Sequence, residues 1–336
     1  MPNWSYNSIE VKGKKADVLE FGAALLGRRK EILNLREVLL EKGVDFEFRG
    51  EINNRTFVAV KDHKILSMAD YEPIYNEAYK EALERVQKAE PIGEEYITFN
   101  TIVPMPDVCL VDKQNVLELD GSRGDVHGLD GWYGWSVANW GTKWDMCDTD
   151  ISSFREAIKE VEELDDDIKD TSFYVSFNTA WAAPVPFVVA ASRKFPKVEI
   201  LLSAQEESGA FFFEETYLGG ETIKTFEVDN EFEWMLHTEC DVDHIFDSIT
   251  WGYDTDRLED MINGDADHTI EEMTKLLSEA ITHDDLKEVT LKCFTPGEHH
   301  DEDTAKILNQ VKDAFSKAFD ELEEKKDDGK NEEVTR

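Results

Sequence analysis

The span from Ser172 to Ala204 constrains the fold more than any other part of the chain. "SFYVSFNTAW" alternates apolar and polar residues as a half-buried strand does. "PVPFVVAASRKFP" then opens on proline and carries helical spacing, and "KVEILLSA" alternates again. Strand, helix and strand in so short a span make a β-α-β unit. A related pattern stands at the N-terminus. Residues 4–12 alternate through Trp4, Tyr6, Ile9 and Val11 and stop at Gly13, and Ala16 to Leu40 repeats apolar residues at helical spacing. A partner strand is expected at 140–145, with Trp140, Thr142 and Trp144 on one face and Gly141 and Lys143 on the other. The full order is strand 4–12, helix about 16–40, strand 140–145, strand 172–179, helix 184–194 and strand 197–205. It predicts an α+β fold, a ferredoxin-like split β-α-β sandwich with insertions.

The insertions have their own signals. "VDFEFRGEINNRTFVAV" alternates around Asn53–Asn54 as a hairpin, and residues 70–90 form a helix with Tyr75, Tyr79, Leu83 and Val86 on one side. Together they occupy about 44–95 within a ferredoxin-like domain of 1–220. "ITFNTIVPMP" reads as an extended edge segment, and Trp132 and Trp135, spaced i,i+3, suit a short helix. Beyond Gly220 the texture changes. Helices are expected at 230–250, 254–262, 268–281 and 303–325, which makes 221–325 an acidic, mostly helical region. The tail 326–336 has almost no apolar residues and is expected to be disordered.

Charge decides which partners suit the chain. Its 336 residues carry 36 Lys and Arg against 74 Asp and Glu, a net of −38. The excess is uneven: about −3 over residues 1–95, −9 over 96–200 and −26 over 201–336. Phosphate backbones and anionic membranes are recognised by clustered cations, so direct binding to either is disfavoured. The four cysteines, Cys109, Cys147, Cys240 and Cys293, show no C-x-x-C pair, so zinc-ribbon and iron–sulfur spacings are absent and no cofactor is expected. No run reaches the length of a membrane span, and the first residues lack the basic and apolar regions of a signal peptide. A cytoplasmic location is expected, that of the host cell if the chain is phage-encoded.

Five segments, "MPNW", "FNTIVPMP", "WYGWSVANWGTKWD", "FNTAWAAPVP" and "FPKVEI", with "QEESG" after the last, occur in order across roughly residues 1–215. In these the chain resembles a family of phage and plasmid proteins whose domain is of the YubB ferredoxin-like type. The resemblance implies that fold and a mobile-element origin, and it implies no reaction. The helical region after about residue 220 lies outside it.

Candidate sites fall into three groups. The tryptophan-rich stretch offers a possible pocket from Asn139, Trp140, Lys143 and Trp144, with Asn178 on a neighbouring strand, although one-sided aromatics beside a helix are more often core. His237, Cys240 and His244 share a helix face but lack a fourth zinc ligand. "NGDADH" lacks the bidentate glutamate of a calcium loop, and the acids of "GEHHDED" suit the first turn of the last helix, so no metal site is assigned. No phosphate-binding or nucleophile motif appears, and no catalytic residue is expected.

The third group is acidic: Glu231, Glu233, Glu239, Asp241, Asp243 and Asp247, then Asp254, Asp256, Glu259 and Asp260. It is the expected contact surface for a host protein with a basic nucleic-acid-binding groove. On this reading the chain is not an enzyme but a nucleic-acid-mimicking inhibitor of a defence or DNA/RNA-handling protein. Two alternatives belong to other classes. One is a metal-dependent nuclease or hydrolase using clustered carboxylates. The other is a nucleic-acid-binding ferredoxin-like module that stacks bases on Phe173, Phe177, Trp140 and Trp144.

Overall fold

Residues 4–13, 171–180 and 199–206 alternate in burial, as period two requires, and pair as neighbouring strands of one antiparallel sheet. The computed structural model describes residues 3–50, 56–165, 168, 170–238, 242–250, 254–281, 286–297 and 300–333. The chain divides into two compact units, 1–226 and 227–336.

The first unit opens with β1 (Trp4–Gly13) and α1 (Lys15–Ala24). Then come β2 (Leu26–Arg29), β3 (Leu33–Asn34), α2 (Leu35–Glu41), β4 (Asp45–Arg49), β5 (Thr56–Lys61) and β6 (Lys64–Ile65). They are followed by α3 (Met68–Lys88), β7 (Ile92–Ile97), β8 (Val111–Asp112), α4 (Trp132–Asn139) and α5 (Ile151–Glu163). The chain returns to the main sheet through β9 (Thr171–Ala180), α6 (Val185–Lys194), β10 (Glu199–Glu206), β11 (Phe212–Leu218) and β12 (Glu221–Val228).

The sheet order is β12-β11-β10-β1-β9. β1 is antiparallel to both β9 and β10, so those two run in the same direction with β1 between them, joined by α6. This is the split β-α-β unit, and the fold is ferredoxin-like. Ile9 and Val11, Phe173, Val175 and Phe177, and Ile200 and Leu202 share one buried face. Val18 and Phe21 of α1, Phe154 of α5, and Phe187, Val188 and Ala191 of α6 pack on it. On the opposite face Tyr6 and Tyr174 are exposed. Phe173 and Phe177 are thus core side chains under the helices and offer no platform for bases.

Residues 140–145 differ from the expected strand. α4 ends on Trp140, and Gly141 takes a left-handed turn at φ 86°. A Cβ at Gly141 would sit 2.4 Å from Cδ of Pro186, so the turn needs glycine for both space and conformation. The chain is folded back where the alternation had it extended. Its only ladder contact with the sheet edge, among the described residues, is one bridge, in which Cys147 and Asn178 exchange N–H to carbonyl bonds of 2.9 Å.

The inserted segment builds a second core. Tyr71, Tyr75, Ala78, Ala82 and Val86 of α3 pack with Leu35, Val38 and Leu39 of α2 and with Phe46 and Ala59 of the β4-β5-β6 sheet. The helical pattern of 16–40 is two helices, α1 and α2, separated by β2, which pairs with β7.

In the second unit, α7 (Glu231–Thr238) and α8 (Val242–Ile249) occupy the span expected to be one helix, 230–250. α9 (Thr255–Asn263), α10 (Ile270–Ala280), α11 (Leu286–Cys293) and α12 (Glu302–Glu333) follow. α11 was not anticipated, and α12 runs past the expected end at 325 into the supposed disordered tail. The core is aromatic. Phe246 lies 4.8 Å from Phe294 and 5.3 Å from Phe315 between ring centroids, and Phe294 and Phe315 stack at 5.2 Å. Leu308, Val311, Phe315, Ala318 and Phe319 form the buried stripe of α12.

The break between units lies at 226/227 rather than 220, because β12 continues the sheet. Its residues are mostly exposed, which leaves the strand little apolar signal in the sequence. Limited proteolysis is expected to cut first between Val228 and Glu231, where the chain leaves the strand. First cuts inside β10 to β12, followed by mass spectrometry of the fragments, would contradict this boundary.

Candidate functional site

The tryptophan-rich stretch forms one wall of a cavity of about 520 Å³ in the first unit. α4 supplies Trp132 and, at its cap, Trp140. The returning loop supplies Lys143, Trp144 and Asp145. Facing them are Arg29 and Lys30, at and just beyond the end of β2, and Tyr96 of β7. The pairing of β2 with β7 shifts register between Gly27 and Arg29, and such irregularities re-aim side chains at the end of a strand.

The wall is fixed by hydrogen bonds that consume its internal polar groups. The Trp140 indole N–H donates to the Val103 carbonyl at 2.9 Å, and its ring packs on Phe99 and Trp135. Ser136 Oγ lies 2.9 Å from the Lys143 carbonyl, and Thr142 Oγ1 donates to the Ala180 carbonyl at 3.0 Å. Trp144 packs on Trp4 at 5.9 Å, and Lys143 Nζ stands 5.1 Å from the Trp144 ring and 5.2 Å from that of Tyr133. These are cation–π contacts.

Asp145 is the anchor of the site. Its Oδ1 accepts the N–H groups of Phe99 and Met146 at 2.8 and 2.9 Å, and its Oδ2 accepts the hydroxyls of Thr98 and Tyr96 at 2.5 and 3.3 Å. Burial raises its pKa above the ordinary aspartate range, against the lowering effect of these bonds. Burial, then the nearby Asp145, pushes the Tyr96 phenol up to about 12. The folded state therefore holds the Asp145 proton more strongly than the unfolded chain does. This group's contribution to stability falls as pH rises from the ordinary aspartate value through the folded-state value, and the full cost persists above it.

Asp145→Asn should remove that segment of the pH dependence at small cost. The amide oxygen can face the two N–H donors, while the hydroxyls of Thr98 and Tyr96 turn to accept from the NH₂ group. Asp145→Ala strands buried donors and is expected to cost about 1–3 kcal/mol. Urea unfolding at several pH values checks both, and equal costs for the two variants would deny the anchoring role.

Of the expected pocket residues, Trp140, Lys143 and Trp144 come together around the cavity. Asn139 and Asn178 do not join them. Asn139 Nδ2 donates to the Trp135 carbonyl at 2.9 Å and closes the end of α4, and Asn178 Nδ2 donates to Asp148 at 2.9 Å on the edge of the sheet. Arg29, Lys30 and Tyr96 have no signal in the sequence that joins them to this site, and Asp145, the last residue of the tryptophan-rich stretch, has none that marks it as the anchor.

The acidic residues occupy a different surface, on the second unit. Asp243 and Asp247 are exposed one turn apart on α8, and Asp256 and Asp260 repeat that i,i+4 spacing on α9, with Glu259 beside them. Two others have structural tasks. Glu233 accepts from Asn230 at 3.1 Å and faces His268 at 3.2 Å, and Asp254 caps α9 by accepting the Asp256 N–H at 3.0 Å. Glu231 is half-buried in the first turn of α7. Glu239 and Asp241 lie outside the described residues, as does Cys240 of the histidine-flanked segment. Among the described residues no group of His, Cys, Asp and Glu is arranged to hold a metal ion, and no helix is long and apolar enough to cross a membrane.

Residues 160–247 match a family model described as "Ferredoxin-like domain in Api92-like protein". The match takes in β9, α6, β10, β11 and β12 and continues into α7 and α8. Among solved structures, the crystal structure of a protein api92 from Yersinia pseudotuberculosis, of family DUF1281, is similar at 11% identity and a TM-score of 0.36. The alignment covers 68% of this chain and 99% of that one. So low a score marks a partial likeness, and the fold assignment rests on the strand order and the family match. No curated protein matches the chain.

Proposed function

We propose that the chain is an interaction protein of phage or mobile-element origin. Its acidic helical unit occupies a basic nucleic-acid-binding groove on another protein and so inhibits it. The observation that carries this reading is the pattern of exposed carboxylates on residues 227–336. That unit holds 33 Asp and Glu against 11 Lys and Arg, while its apolar side chains fill its own core. Among the described residues, the side chains of Asp247, Asp256, Glu259 and Asp260 have no ion-pair partner.

Like charges at i,i+4 destabilise a helix by roughly 0.2–0.5 kcal/mol per pair, so folding alone does not favour them. Four residues of helix rise by about 6 Å, within a factor of two of the ~3.4 Å axial spacing of phosphates along one DNA strand. A concentrated negative field also speeds encounter with a basic groove and disfavours neutral or acidic partners. Host nucleases, defence complexes and DNA- or RNA-handling enzymes in the cytoplasm present such grooves.

Affinity capture from host extract, with and without nuclease treatment, tests the reading. The expected result is a stoichiometric protein that survives nuclease and is eluted by added duplex DNA. A partner that disappears on nuclease treatment, or that DNA does not displace, would contradict it.

A further inference from the structure

Among the described residues, the lining of the tryptophan-walled cavity falls within 29–147, in the first unit, so this inference does not rest on the acidic unit. Its volume of about 520 Å³ falls within the roughly 300–1,000 Å³ range of small-molecule sites. The geometry points to a binding site for a planar aromatic anion of mononucleotide size: the ring lies against the tryptophans and the phosphate sits between Arg29 and Lys143.

Three observations support this chemistry. The first is the wall. Trp140, 5% exposed, is the core anchor of the wall through its bond to Val103, while half-buried Trp132 and Trp144, the latter packed on Trp4, present the accessible aromatic surface before any ligand arrives. Stacking of a base on an aromatic side chain contributes about 1–3 kcal/mol and tolerates any base.

The second is the charge of the lining. Arg29, Lys30 and Lys143 face the cavity. Lys30 is paired with Asp107 at 3.0 Å, whereas Arg29 and Lys143 have no carboxylate partner among the described residues. Lys143 rests instead on the rings of Trp144 and Tyr133. A cation poised over a ring, in the same cavity as a guanidinium with no carboxylate partner among the described residues, suits a ligand that brings both a π-face and an anion.

The third is Asp145, the one carboxylate in the lining among the described residues. Four donors occupy its two oxygens, so it is committed to the scaffold and does not neutralise the two cations. A cationic, aromatic cavity in a chain of net charge −38 is a local inversion of the protein's charge.

Tryptophan fluorescence of the full chain provides the test, with AMP and UMP as ligands. Adenosine supplies a ring without the anion, ribose 5-phosphate the anion without a ring, and a 5′-phosphorylated single-stranded hexanucleotide the same chemistry at the end of a nucleic acid. The expected result is saturable quenching by AMP and UMP, with adenosine and ribose 5-phosphate each binding at least about tenfold more weakly. Arg29→Gln and Lys143→Gln should each weaken AMP by about tenfold, the loss of one charged hydrogen bond, with a much smaller effect on adenosine, and Arg29→Gln, which breaks no ion pair or ring contact among the described residues, should leave the melting temperature unchanged. The assignment is overturned by no saturable response to either nucleotide at millimolar concentration, by adenosine binding as well as AMP, or by indifference to both substitutions. Tighter binding of the hexanucleotide than of AMP would also overturn it, because the site would then read nucleic-acid ends.

Discussion

Trp140→Ala is expected to lower the stability of the sheet-bearing unit by about 3–5 kcal/mol, the range for removing a large aromatic from a packed core. The ring is 5% exposed and belongs to the same cluster as Phe99, Phe177 and Phe187. Its loss also leaves the Val103 carbonyl without the indole donor. Trp144→Ala costs clearly less, since Trp144 is half-buried and lies outside that cluster. Urea unfolding followed by circular dichroism separates the two. Equal losses would mean that both rings are core, and an unchanged Trp140→Ala midpoint would mean that the packing described here is absent.

The second large effect is on association. Replacing Asp247, Asp256, Glu259 and Asp260 together by Lys is expected to weaken partner binding at least a hundredfold, because like charges set against a basic groove cost several kcal/mol. Folding should be unaffected or slightly improved. These side chains are exposed, Asp256 and Asp260 repel each other across one turn, and the chain as a whole repels itself. The set leaves out Asp254 and Glu233, since the first caps α9 and the second is tied to Asn230. Their replacement would confound binding with helix stability.

The split β-α-β unit was legible because period-two alternation in β1, β9 and β10 survives wherever one face of a strand is buried. β12 lacks that contrast, and so it was missed. Residues 140–145 alternate as a strand would, yet α4 runs through Asn139 and caps on Trp140, and the left-handed turn at Gly141 then folds the loop back. Alternation over six residues does not distinguish a strand from a capped helix followed by a turn. That difference also decides the site. Strand logic sets Asn139 and Asn178 beside the tryptophans, whereas the polar groups lining the cavity with Lys143 and Asp145 include Arg29 at the end of β2 and Tyr96 of β7. Arg29 and Tyr96 are far apart in sequence, and only the pairing of those two strands joins them. Asp145 closes the tryptophan stretch, but nothing local shows that four donors converge on it. The acidic surface was the easier half to read, because charge density needs no tertiary information. Telling caps and internally bonded acids from free ones does need it.

The proposed action of the helical unit through its exposed carboxylates is tested by a salt titration of the captured complex, wild type beside the four-lysine variant. Exposed charges are screened over about 8–10 Å at 0.1–0.15 M salt. Wild-type affinity should therefore fall steeply between about 50 and 200 mM, duplex DNA should compete, and the variant should not bind at any salt. Binding that is flat across that range, indifferent to DNA and retained by the variant would place the interface on apolar contacts and contradict the account.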